Sequence, residues 1–214
     1  MSILTELKKE LEATSLNEQL QTRTQLQNQL AKELQYWQGK TEVDQDVFSK
    51  LKTYWDYVNF GDNWSPSGTP WSSAFVSYAL RGQNFPKKAS HWQYIDEIIK
   101  NPSSGWQAYN LDKSQNTVLQ VGDVLIRPRD GFYATHGDIV SQIVDGKAIL
   151  IGGNLSNTAK IARRIEVDAN GRALVSLSPY QIILKKKGNS SKPSFFLFPI
   201  LGLTGLFLFL RGRK

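Results

Sequence analysis

Ser72, His136 with Asp138 two residues on, and Asn154 behind a Gly-Gly pair are the residue types of a nucleophilic hydrolase, met in order along the chain. A serine attacks a carbonyl when a histidine removes its proton and a polar group orients that histidine. Ser72 follows Pro70, which opens a predicted helix running to about Arg81. Free N–H groups at a helix start favour developing negative charge, so Ser72 would stand beside its own oxyanion site. His136 heads a predicted strand, A-T-H-G-D-I-V, and Asp138 shares its face of that strand. Residue types alone leave the bland alternative open, a helix cap and an ordinary histidine.

These residues need elements to position them. Asp44 to Phe60 carries Val47, Leu51, Tyr54, Trp55 and Val58 on one helical face. The polar, aromatic loop around Trp64 follows, then the Pro70 helix, with Phe75, Val76, Ala79 and Leu80 on its apolar face. Ser90 is placed to cap a helix carrying Trp92, Ile95, Ile98 and Ile99. After Asn101 the pattern becomes short and β-branched. Strands are expected over 121–127, 137–144, 147–151, 160–167, 172–177 and 181–184, with a hairpin turn at Asp145-Gly146. Helices followed by antiparallel strands make an α+β domain, assigned to residues 41–184. Residues 1–40 read as an amphipathic helical arm, either one helix broken near Thr14 or a helical pair. The arm either packs on its own domain or serves docking and self-association.

Composition narrows the chemistry. The 214 residues contain no cysteine, which excludes disulfides, cysteine-ligated metal and a cysteine nucleophile. The two histidines are far apart in sequence, and no metal or cofactor is expected. The net charge of +7 is unevenly placed. Residues 185–214 hold seven basic and no acidic side chains, leaving residues 1–184 formally neutral. A nucleic-acid partner is therefore not indicated. Residues 195–210 are uncharged and apolar, and sixteen helical residues span about 24 Å. That segment is expected to anchor the chain in a lipid bilayer, behind a basic polar linker, 185–194, and before a basic tail, 211–214. The N-terminus has no signal-peptide pattern.

Around the candidate residues the wording is more specific: G-T-P-W-S-S-A-F-V-S-Y-A-L, V-G-D-V-L-I-R-P-R, T-H-G-D-I-V and I-G-G-N. In this order the motifs resemble the papain-like superfamily of NlpC-type peptidases and cysteine- and histidine-dependent amidohydrolases that cut peptidoglycan. The closest resemblance is to the bacterial domain of unknown function 2272, which has serine in the cysteine place and an element like H-W-Q-Y-I. The resemblance covers about residues 30–184. It implies a papain-like α+β fold, Ser72 as nucleophile, His136 as general base and Asn154 near the residue that orients the base. His91 matches the closer branch, and reads either as a cleft residue or as a satisfied histidine on a helix. Trp71 and Asp123 match positions that look structural. Trp71, His91 and Trp64 are the candidate cleft residues.

Serine changes the demands on this site. A thiolate–imidazolium pair tolerates a neutral Asn behind the histidine, whereas a serine hydrolase holds its histidine with a carboxylate. Asp138 is the candidate carboxylate, provided it reaches the distal ring nitrogen. The expected activity is cleavage of a peptidoglycan amide or peptide bond at a membrane. The alternatives are an inactive module that binds the cell wall and a structural membrane protein. The bacterial inner membrane, a membrane-containing phage particle or a secretion complex would house it.

Overall fold

The computed structural model describes residues 3–111, 117–129 and 135–187. The chain is α+β: among the described residues, four α-helices precede or flank one antiparallel sheet of six strands. Helix α1 spans Ile3–Tyr36, α2 Phe48–Tyr57, α3 Ser72–Ala79 and α4 His91–Lys100. The strands are β1 Trp106–Asn110, β2 Val124–Pro128, β3 Thr135–Val144, β4 Lys147–Gly152, β5 Lys160–Glu166 and β6 Ile182–Lys186. They lie in the order β1-β6-β2-β3-β4-β5.

Side-chain period sets which face each element buries. Leu51, Tyr54, Trp55 and Val58 turn inward from α2, and His91, Tyr94, Ile95 and Ile98 from α4. Helix α3 is buried almost all round, so it is the central helix. Along β2, Val124 and Ile126 join the helical core, whereas Leu125 joins a second core on the other face. That second face is closed by Leu119, Val167, Ala173, Leu177 and Tyr180. The β3–β4 turn has positive φ at both Asp145 and Gly146, as a two-residue hairpin of this hand requires.

Several expectations shift. Helix α1 is continuous past Thr14. Its C-terminal part belongs to the domain, because Leu26 and Leu30, with Trp37 just beyond, enter the helical core. The Pro70 helix starts at Ser72, with Trp71 at the N-cap position, and Ser90 makes no capping bond with its side chain. Residues 172–177 form isolated bridges instead of a strand, and β1 pairs with β6 where no strand was expected. The linker boundary at 185 is corrected: Lys185 and Lys186 are the end of β6. Lys185 is buried, paired with Asp123 and bonded to the Val118 carbonyl at 3.0 Å. Its charge serves the fold and not a lipid headgroup. The expected anchor at 195–210 lies outside the described residues, as do the rest of the linker from 188 and the basic tail. Among the described residues no helix is long and apolar enough to cross a membrane.

Candidate active site

Two helix starts meet. Ser72 opens α3, His91 opens α4, and Ser72 Oγ lies 3.2 Å from His91 Nε2. Serines on α3 hold the connection that makes this possible. Ser77 Oγ donates to the Pro86 and Lys88 carbonyls at 3.1 and 3.0 Å, and Ser73 Oγ to Lys88 at 3.2 Å. These bonds fold residues 86–88 back along α3, so that α4 begins beside Ser72. His91 is uncharged at neutral pH. Burial first, then the charge of His136 with a smaller part from Arg129, push it down to about 3, against the pull of Asp138.

Among the described residues Ser72 is bonded to His91, and His136 to Asp138. Strand alternation turns Ile139 to the helical core and Val140 to the second core. Gly137 therefore faces α4, where a Cβ would lie 2.9 Å from Tyr94 Oη and 3.0 Å from His91 Cδ2. His136 and Asp138 take the opposite face. There His136 Nε2 lies 3.0 Å from Asp138 Oδ1. Asp138 Oδ2 accepts from the Tyr180 hydroxyl at 2.7 Å and from Arg127 Nε at 3.4 Å. Burial alone would raise the Asp138 carboxyl, but the bond and charge of His136, the Tyr180 hydroxyl and Arg127 outweigh it and hold the carboxyl below its usual value. The His91 and His136 rings still approach to 6.2 Å between centroids, beside the residue that has no side chain. A polar line thus runs Ser72, His91, His136, Asp138, Tyr180, passing from one face of the sheet to the other at Gly137.

The Gly-Gly pair now has a physical reason. A Cβ on Gly152 would overlap Asp138 Oδ1 and come within 2.9 Å of His136 Nε2. A Cβ on Gly153 would lie 2.5 Å from Phe75 Cγ and 2.8 Å from Trp71 Cζ3. Gly152 makes room for the His136–Asp138 pair, and Gly153 lets β4 close on α3. Asn154 follows at φ 58, a left-handed conformation that Asn tolerates. Of the two expected orienting groups, Asp138 is the one seen bonded to His136 Nε2.

The cleft residues are revised. Trp71 is fully buried, stacked on Trp37 at 4.6 Å, with its indole N–H donating to Glu42 Oε2 at 2.8 Å. It is core, because the aromatic stack and the carboxylate occupy both its face and its polar edge. Trp64 packs against Phe48 at 5.0 Å and Trp55 at 6.1 Å, within the α2 aromatic cluster. His91 is the member of that set that reaches Ser72. Its place was readable: it precedes Ile95 and Ile98 by four and seven residues and shares their buried stripe. Tyr94, on the same stripe, was not singled out.

The site is a buried serine–histidine pair on an α+β scaffold. The chain belongs to the family described as an uncharacterized protein conserved in bacteria (DUF2272), whose model matches residues 27–193. No curated protein and no solved structure matches it.

Proposed function

We propose that this chain is a papain-like serine hydrolase, cutting amide or peptide bonds of peptidoglycan, with Ser72 as nucleophile and His91 as its immediate base. The observation that carries this reading is the 3.2 Å approach of Ser72 Oγ to His91 Nε2 at the meeting of two helix starts. Ser72 Oγ attacks the carbonyl carbon while His91 Nε2 takes the hydroxyl proton. N–H groups at the start of α3 face the oxyanion. The proton passes to the leaving amine, and water then releases the acyl group. Anchorage of the site near a membrane by residues 195–210 belongs to the same proposal.

A second reading, a wall-binding module without turnover, draws support from burial and charge. Ser72, His91, His136 and Asp138 are only 2%, 6%, 1% and 0% exposed. Among the described residues His91 also has no directly bonded carboxylate of the kind that stabilises an imidazolium in serine hydrolases. Zymograms on purified cell walls separate the two. The hydrolase clears the wall, and Ser72→Ala and His91→Leu do not. Equal clearing by Ser72→Ala, or none by wild type at any pH, refutes the hydrolase. Wall pulldown that survives both substitutions identifies the binding module.

A further inference from the structure

A basic cavity lies apart from the serine, beside the end of the last strand. It has a volume of about 510 Å³ and is bounded by residues 84–88 on one side and by Glu97, Asn101, Ser103 and Ser104 on the other. Its walls are held in place. Phe85 packs edge-on against Tyr94 and Trp106, both at 4.9 Å, and Ser77 on α3 holds the Pro86 and Lys88 carbonyls. The end of β6 pins both rims. Lys186 Nζ donates to Gln83 Oε1 at 3.0 Å, and Lys187 Nζ donates to the Pro102 carbonyl.

The charge of this cavity is one-sided. Lys87 and Lys88 line it, Lys186 and Lys187 stand at its rims, and Glu97 is the one acidic residue in its described lining. Glu97 pairs with Lys88 at 2.8 Å. Lys186 and Lys187 bond to neutral oxygens, and Lys87 lies over the Tyr57 ring at 4.7 Å. Among the described residues, three of the four lysines therefore have no carboxylate partner. Asn101 Oδ1 accepts from the Ser103 N–H and hydroxyl at 3.2 and 2.6 Å, which leaves its amide N–H groups as donors. Cations and N–H donors around one space suit a phosphate. We propose that this cavity takes the phosphate of an anionic lipid headgroup and seats the domain on the bilayer surface. Seven residues, 188–194, separate Lys187 from the apolar stretch 195–210, at most about 25 Å of extended chain. An anchor there holds the Lys187 rim within reach of the headgroup layer, where each lysine strengthens binding about fivefold. The choice of a lipid as the source rests on the anchor in the proposed function, whereas the preference for phosphate rests on the cavity alone.

Amide hydrogen exchange of the full-length protein tests this in vesicles of phosphatidylcholine, with and without phosphatidylglycerol. Phosphatidylglycerol should slow exchange in segments 84–88 and 101–104 at least about fivefold, and added salt should reverse the slowing. Lys87→Gln combined with Lys187→Gln alters two exposed side chains and should return exchange to the phosphatidylcholine level. The corresponding pair of arginine substitutions should keep the slowing. Equal wild-type exchange in the two vesicles overturns the inference, and so does slowing that the glutamine pair retains. Slowing by inorganic phosphate in detergent, with none from phosphatidylglycerol, also overturns the headgroup as the ligand. Co-sedimentation with phosphatidylcholine vesicles reads the anchor separately, so loss of the anchor and loss of the phosphate site are different results.

Discussion

Gly152→Ala tests whether the Gly-Gly motif exists to house the His136–Asp138 pair. Gly152 lies at the end of β4 with an ordinary φ, so alanine meets no backbone penalty there. The whole effect comes from the methyl, which would occupy the space of Asp138 Oδ1 and press on His136 Nε2 at 2.9 Å. The carboxylate cannot retreat freely, since its other oxygen holds Tyr180 and Arg127. Overpacking costs about 1–3 kcal/mol. A lost hydrogen bond to a charged group adds about 1.5–3 kcal/mol. The expected destabilisation is therefore about 2.5–6 kcal/mol. For a chain of this size that corresponds to a fall in Tm of roughly 5–25 °C. Thermal unfolding followed by near-UV circular dichroism measures it. The same substitution in an Asp138→Ala background should cost at least 1 kcal/mol less, roughly, because the overlapping oxygen is gone. A single variant within about 1 °C of wild type refutes the proposed reason for the motif. So does a double variant with fully additive losses.

Two further outcomes follow from the buried charges. Stability should begin to fall with acid already near the ordinary histidine value of 6.5, because folded His91 binds its proton only at about 3 while the unfolded chain binds it earlier. The slope is about 1.4 kcal/mol per pH unit over that window. Asp138, held low, adds its loss further into acid, while Asp123, raised chiefly by burial against the pull of Lys185, works weakly the other way. Urea unfolding at a series of pH values checks this. His91→Leu should flatten the limb between pH 6.5 and its onset of carboxylate titration, and a wild type equally stable at pH 7 and 5 contradicts it. Lys185→Met should cost about 3–5 kcal/mol, since it leaves the Asp123 carboxylate buried without its cation. Lys185→Met combined with Asp123→Leu should recover part of the loss in the same unfolding assay, and a single variant as stable as wild type rules out the structural role.

Local patterns were legible where one element decides them. The Asp145-Gly146 turn, the apolar stripes of α2 and α4 and five of the strands follow from turn chemistry and periodicity within short windows. β1 escaped because Trp106–Asn110 has no alternation and pairs only with β6, more than seventy residues on. Lys185 was misread for a related reason. Three consecutive lysines look like a solvated run until β6 carries the first of them across to Asp123. Ser72 was recognisable as a helix start, but its histidine partner was not. The choice between His91 and His136 depends on the fold-back of residues 86–88 along α3 and on the face that β3 presents. A single register step in β3 would exchange those faces.

The face of β3 also bears on whether Ser72 could act as the proposed nucleophile. A thiol needs its proton drawn off before attack, and a charged histidine beside it favours that state. A serine needs a neutral base that accepts a proton only during attack. A charged imidazole close to Ser72 would oppose that step. In this chain the carboxylate-bound histidine lies across the sheet, and the ring at Ser72 is uncharged at neutral pH. The placement sets an uncharged imidazole beside Ser72 without an ion pair there. Its weakness is that the base is hard to protonate. Asp138 bears on both histidines, so it sets how far that weakness extends. Asp138→Asn retains the shape of the site while removing the charge. If Ser72 cleaves wall polymer through His91, Asp138→Asn should lower kcat far more than it raises KM. If the site only binds, pulldown of cell walls by Asp138→Asn should match wild type.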